Sequence, residues 1–176
     1  MKEKTLLHPD KINYSGAEEF EKWDQLIGLL SLSEDPINIL MWSHYSDNHK
    51  GFVVGFETDW LLGEERLDFI DRVEYSTDCP YISGFSPEED KFRKRFFVKS
   101  KLWSYEKEWR ATKNHIEGRI LVFPKSAVKS VVLGCEMPVS DQESVAALVA
   151  DRFPRAAIYC AKKSERKFTL ELHEQR

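Results

Sequence analysis

The sequence predicts an α+β fold, a mixed and largely antiparallel sheet with helices packed on it. Three observations carry that expectation. Strand-length apolar runs and 3.6-residue helical patterns alternate irregularly, without regular βα repeats. Two pairs of neighbouring runs read as hairpins, which are antiparallel by construction. One strand–helix–strand unit lies between Val128 and Lys163. At 176 residues the chain is long enough for one domain with a substantial core, so a single globular domain over residues 1–176 is expected.

The elements follow in order. Ser15 opens a Ser-x-x-Glu capping box, and Phe20, Trp23, Ile27 and Leu30 continue at helical spacing. Asp35 caps and Pro36 opens a second helix, expected to run to about Asp47. Ile37, Leu40, Met41, His44 and Tyr45 would form its buried face, with Asn48 and Gly51 as stop signals. Phe52, Val54 and Phe56 mark one face of a strand, and residues 72–76 read as another. A loop over 77–86 leads into the capping box Ser86-Pro87-Glu88-Glu89. The helix behind it stacks Phe92 on Phe96, with Lys91, Arg95 and Lys99 on a neighbouring stripe. Residues 108–113 and 119–124 are expected to form a hairpin around Glu117-Gly118. Residues 128–134 read as a buried strand. A box from Ser140 to Glu143 starts a helix bearing Val145, Leu148, Val149 and Phe153. Residues 156–163 and 167–174 form the terminal hairpin, with Phe168, Leu170 and Leu172 facing inward.

Composition limits the function classes. Hydrophobic residues are 41% and charged residues 32% of the chain, ordinary for a folded globular protein. The formal charge of −4 gives no global attraction to nucleic acid or an anionic membrane. Charge is uneven: residues 1–60 hold five Lys/Arg against eleven Asp/Glu, and residues 91–110 eight against two. The basic stretch suits an anionic small ligand better than a nucleic-acid partner. Cys79, Cys135 and Cys160 are too scattered for a disulfide framework or zinc knuckle, so a reducing cytoplasm is expected. The amino end lacks the apolar run of a signal peptide, and no stretch reaches membrane-span length.

Two constellations could carry chemistry. The first is Trp42-Ser43-His44-Tyr45-Ser46-Asp47, then His49-Lys50-Gly51-Phe52. On a helix, Asp47 can approach His44 at i, i+3 and fix its tautomer, as a general base requires. His44, Asp47 and His49 also suggest a metal, but no compact fourth ligand accompanies them, and no metal is assigned. The alternative is that His44 and Tyr45 are core residues with satisfied polar tips. The second constellation is Trp103-Ser104-Tyr105-Glu106-Lys107-Glu108-Trp109-Arg110. On a strand beginning near Tyr105, Glu106, Glu108 and Arg110 share one face. Two carboxylates there repel unless a cation or substrate lies between them, and repulsion raises the proton affinity of one. The alternative is a solvated edge in which Arg110 neutralises Glu108. The tryptophans favour a walled cleft, expected between the His44 helix and the Glu106–Arg110 strand.

Together these segments, with Leu29-Leu30-Ser31-Leu32-Ser33-Glu34-Asp35 before them, resemble the bacterial family called domain of unknown function 2971. The likeness spans about Leu29 to Leu133. It implies an uncharacterised bacterial protein, of a kind often carried by mobile or defence-associated DNA. Members have Tyr-Lys-Tyr-Arg and Phe-Ser-Ser-Pro segments earlier in the chain. The residues before Leu29 hold neither, which implies an N-terminally shortened member. Glu106-x-Glu108 is also similar to the Glu-x-Glu of ADP-ribosyltransferases. That likeness implies NAD as the ligand, Glu108 as the catalytic carboxylate and Glu106 as its helper, with His44 or Arg110 near the phosphates. The expected site is therefore Glu108, Glu106 and His44, with Trp42, Tyr45, Asp47, His49, Lys50, Trp103, Tyr105 and Arg110 as ligand contacts. The competing expectation is a non-catalytic ligand-binding or protein-interaction module.

Overall fold

The computed structural model describes residues 17–61, 63, 67–115 and 120–175. The cap expected at Ser15 and the turn expected at Glu117-Gly118 lie outside the described residues. In chain order the elements begin α1 (Ala17–Leu26), β1 (Ile27–Ser33), α2 (Ile39–Tyr45), β2 (Phe52–Phe56), α3 (Thr58–Leu61), β3 (Phe69–Arg72) and β4 (Glu74–Ser76). They continue with α4 (Glu88–Phe96), β5 (Val98–Ser100), β6 (Glu108–Asn114), β7 (Val128–Leu133), α5 (Val139–Arg152), β8 (Ala157–Lys163) and β9 (Leu170–Glu174). Short 3-10 turns cover Lys101–Glu106 and Lys125–Ala127. The fold is α+β, and the chain divides into two compact units.

The first unit comprises Met1–Glu34 and Glu64–Leu121. Its main sheet has the antiparallel order β1-β6-β3. Here the structure corrects two expectations. The helical spacing read through Ile27 and Leu30 crosses a boundary, because α1 ends at Leu26 and the chain continues directly as a strand. Of the hairpin expected over 108–113 and 119–124, the described residues 120–124 form no strand; β6 is the centre of the sheet, bonded to β1 and β3. A second small sheet pairs β4 with β5 in parallel. Trp23, Ile27, Phe92 and Phe97 form the core, with Phe69 and Phe96 against them. The aromatic rings meet mainly edge-to-face or tilted, as their quadrupoles favour.

The basic stripe of α4 is paired with acidic groups, with Lys91 sunk into the fold and Arg95 at the surface. Lys91 is buried and paired with Glu88, Arg95 reaches Asp24, and Arg93 reaches Asp71. Lys99 lies beyond the helix on β5, with a different set of partners.

The second unit comprises Asp35–Gly63 and Val122–Arg176. Its four-stranded sheet has the order β2-β7-β8-β9. The β7-α5-β8 crossover makes the parallel pair, and β8-β9 is the expected terminal hairpin. One face packs Val128, Val131 and Leu133 against Met137 and Val149. The other buries Trp42 against Val132, Ala161 and Leu170. Phe168 precedes β9 and is exposed, so only Leu170 and Leu172 of the expected inward set lie on the strand. Likewise α5 starts at Val139, placing Ser140 inside the helix instead of at its cap.

The face of α2 also differs from expectation. Asn38 caps it by accepting from the N–H groups of Leu40 and Met41. Asp35 instead accepts from Ile37, ahead of the helix. With the helix starting three residues later, Trp42 faces the core, while Leu40, His44 and Tyr45 are exposed.

Candidate functional site

The acidic couplet sits at the junction of a 3-10 turn and a central strand. Ser100 caps the turn by accepting from the Leu102 N–H. Lys107, in the left-handed region at φ 46°, ends it and reverses the chain into β6. The strand therefore starts at Glu108, three residues later than the start near Tyr105 that placed both glutamates on it, and Glu106 belongs to the turn. The carboxylates still converge, although no strand alternation aligns them. Ser33 helps place the turn by donating to the Glu106 carbonyl at 2.7 Å. The Tyr75 hydroxyl accepts from the Glu108 N–H at 2.9 Å.

A cation does lie between them. Lys99 binds Glu106 Oε2 and reaches Glu108 Oε2 at 3.1 Å. Arg110 donates to Glu108 Oε1 from Nε at 2.8 Å and to Oε2 at 3.2 Å. Its other end donates to the Phe96 carbonyl at 2.5 Å. Glu106 is 3% and Glu108 6% exposed, whereas the Lys99 side chain retains 23%. Trp103 lies beside it, its ring centroid 5.3 Å from the ammonium, and Tyr105 is 5.9 Å from Trp103.

At Glu108 the electrostatics run opposite to a raised carboxyl. Burial pushes the Glu108 carboxyl up, but hydrogen bonds from Arg110, Ser31 and Lys99 and the Arg110 charge outweigh it. Glu108 is held below the usual carboxylate range. Burial likewise pushes the Lys99 ammonium down, and the bonds to both glutamates more than restore it, leaving it raised. Tyr75 is raised by burial, with the two carboxylate charges adding to it. Trp109 lies on the other face of β6, where it donates to Glu34 at 2.6 Å beneath Arg72.

The histidine motif occupies the second unit. After α2, Asp47, Asn48 and His49 take φ values of 45°, 51° and 68°. Asn and Asp tolerate this region, but a left-handed histidine is uncommon. The strain is held by many contacts. The His49 N–H donates to the Trp42 carbonyl at 3.3 Å, and its ring stacks on the Trp42 indole at 6.3 Å. Its Nε2 is 3.0 Å from the Ser43 hydroxyl. Ser46 donates to the Trp42 carbonyl, and Gly51 and Lys50 donate back to Ser46. Asp47 faces Lys50 at 3.8 Å, and both are exposed. His44 meets Tyr45 edge-on at the surface, and Trp42 is a core residue at 2% exposure.

Gly134 closes this turn against the sheet. The Glu136 N–H donates to the His49 carbonyl, and Gly134 donates to Gly51. A Cβ on Gly134 would lie 2.0 Å from the His49 carbonyl oxygen and 2.8 Å from that of Gly51. Backbone atoms cannot swing aside. Gly134→Ala is expected to destabilise the second unit by about 3 kcal/mol, the upper end for overpacking. Urea unfolding read by tryptophan fluorescence checks it, with Gly84→Ala, which meets nothing within 4 Å, as the near-neutral comparison.

Reasoning from sequence missed Lys99 as a member of the cluster, together with Tyr75, Ser31 and Ser33. The repulsion argument required a cation between the glutamates, and the basic stripe supplied candidates. Among the described residues, no group of three His, Cys, Asp or Glu is gathered as a metal would need. No helix among them is long and apolar enough to cross a membrane.

Comparison with curated proteins and with solved structures gave no match. A family model does match, over residues 41–111, a span that holds the Trp42–Phe52 motif, Lys99 and the Glu106–Arg110 couplet. Over that span the chain is similar to the family described as Protein of unknown function (DUF2971).

Proposed function

We propose that this protein binds a small organic ligand at the Lys99–Glu106–Glu108–Arg110 cluster, with Trp103 and Tyr105 as its wall, and that the ligand is NAD-like. The observation that carries this reading is the pair of nearly inaccessible carboxylates sharing one partly exposed ammonium beside an exposed tryptophan. Four charged groups sunk together are a poor route to stability, since apolar residues of equal volume serve as well or better. Shifted ionisable groups beside aromatic surface are instead what binding sites collect. The resemblance to ADP-ribosyltransferases extends the reading to transfer chemistry, with Glu108 steadying positive charge at the ribose and Glu106 polarising the acceptor. The three free cysteines support a reducing cytoplasm as its setting.

The test is thermal shift with NAD, ADP-ribose and nicotinamide, followed by mass spectrometry for product. NAD at one hundred times its Kd raises stability by about 2.7 kcal/mol. Glu108→Gln is expected to abolish that rise and any turnover. No response to any of the three ligands overturns the proposal.

A non-catalytic module is the second reading, favoured by a separate observation. Both carboxylates are already paired, and the exposed His44 and Tyr45 at the end of α2 stand beside the exposed Asp47 and Lys50 of a strained, closely held turn. On that reading Glu108→Gln costs about 1–3 kcal/mol of stability and changes no ligand response.

A further inference from the structure

We infer that the Glu106–Glu108 couplet is a receptor for an organic cation, and that Lys99 is its internal occupant in the unliganded chain. The inference rests on the ligand-binding reading above and names the chemical class of that ligand: an alkylammonium, a guanidinium or a cationic ring.

The glutamates and the lysine come from different elements. Glu106 ends the 3-10 turn and Glu108 opens β6, whereas Lys99 is carried by the three-residue strand β5. A lysine stem is long and flexible, so the ammonium can withdraw by side-chain rotation alone. Arg110 would stay behind, because it binds both oxygens of Glu108 and is anchored on the Phe96 carbonyl. The couplet would then keep one fixed cation and present a site for one mobile cation.

The exposure gradient shows the direction of exchange. The carboxylates are closed off, and Lys99 is the more open partner, so its side of the cluster faces solvent. Trp103 lies on that side. Carboxylates beside an aromatic face are the chemistry that recognises organic cations, by charge and by the ring quadrupole together. A simple anion gains nothing there. Exchange of one cation for another also moves no proton, since Lys99 is held charged by both glutamates. Oxidised NAD carries a cationic nicotinamide ring and its reduced form does not, so the oxidised form should bind more tightly.

The experiment vacates the site and refills it. Lys99→Ala should melt lower than the parent chain. Propylammonium or guanidinium at low millimolar concentration should raise its melting temperature saturably, while propanol and urea should not. The double variant Lys99→Ala/Glu106→Gln should lose that response. Equal responses to charged and neutral probes, or no saturable response, overturn the inference. Lys99→Met keeps an apolar stem and serves if the alanine variant does not fold. In the parent chain, guanidinium should increase acetylation of Lys99 relative to other lysines, read by peptide mass spectrometry; an unchanged ratio counts against exchange. Cation rescue without NAD binding removes only the ligand proposed above. NAD binding without rescue removes only the exchange.

Discussion

Arg110→Met is expected to destabilise the first unit by about 3–5 kcal/mol, more than any single loss on its surface. The magnitude is that of breaking a buried ion pair by removing one partner. Arg110 gives Glu108 two hydrogen bonds and the Phe96 carbonyl a third. Without it, Lys99 alone must neutralise Glu106 and Glu108 together. Methionine keeps the stem packing, so the loss reports the charge and its bonds and not a cavity. Arg72→Met is the comparison. Arg72 pairs with Glu34 near the surface, where an ion pair contributes about 0–1 kcal/mol.

The pH dependence has a determined sign. Glu108 is depressed in the folded chain, so its contribution is present above the unfolded carboxyl value of 4.5 and fades as pH falls through its lower folded value. Lys99 is raised, so its contribution is complete below 10.5 and fades as pH rises through its higher folded value. The parent chain should therefore keep the cluster intact between these limits. In Arg110→Met, Glu108 loses its main partner while burial still disfavours its charge. Acid should then cost the variant less than it costs the parent chain. Urea midpoints at pH 7 and pH 4 measure the difference, and parallel losses in both proteins would refute this account of the pair.

What was legible in the sequence follows the range of each interaction. The β7-α5-β8 crossover and the β8-β9 hairpin were readable because local patterns specify them. So was the need for a counter-charge between Glu106 and Glu108. The identity of that charge was not, because Lys99 reaches them from another strand and the contact is tertiary. β6 was read with its sequence neighbour, yet its partners are β1, some eighty residues earlier, and β3. Helical spacing from Trp23 to Ile27 and Leu30 misled for a related reason: a strand can continue apolar residues at those intervals, and only Gly28, just past the boundary, marks the change. The turn after α2 was expected to stop the helix. That it would be left-handed through His49 depends on Trp42, Ser43 and Gly134 closing around it.

Trp42→Ala should cost the second unit about 3–5 kcal/mol, the usual loss for a buried tryptophan. The indole fills the space between Val132, Ala161 and Leu170, and its Nε1 donates to the Pro36 carbonyl at 2.8 Å. It is also the floor on which the His49 ring stacks, so truncation removes support from the strained turn as well as core volume. Trp42→Phe separates these parts. It keeps a ring in the core but loses the donor, at about 1–3 kcal/mol. Leu40→Ala sets the opposite limit, because Leu40 is 45% exposed and should change stability by about 0.5 kcal/mol or less. The apolar spacing of Ile37, Leu40 and Met41 taken alone predicts the reverse order, with Leu40 on the buried face. Guanidinium unfolding of the two alanine variants therefore decides which face of α2 meets the sheet. If Leu40→Ala proves the costlier, His44 turns inward, and the placement of the whole motif falls with it.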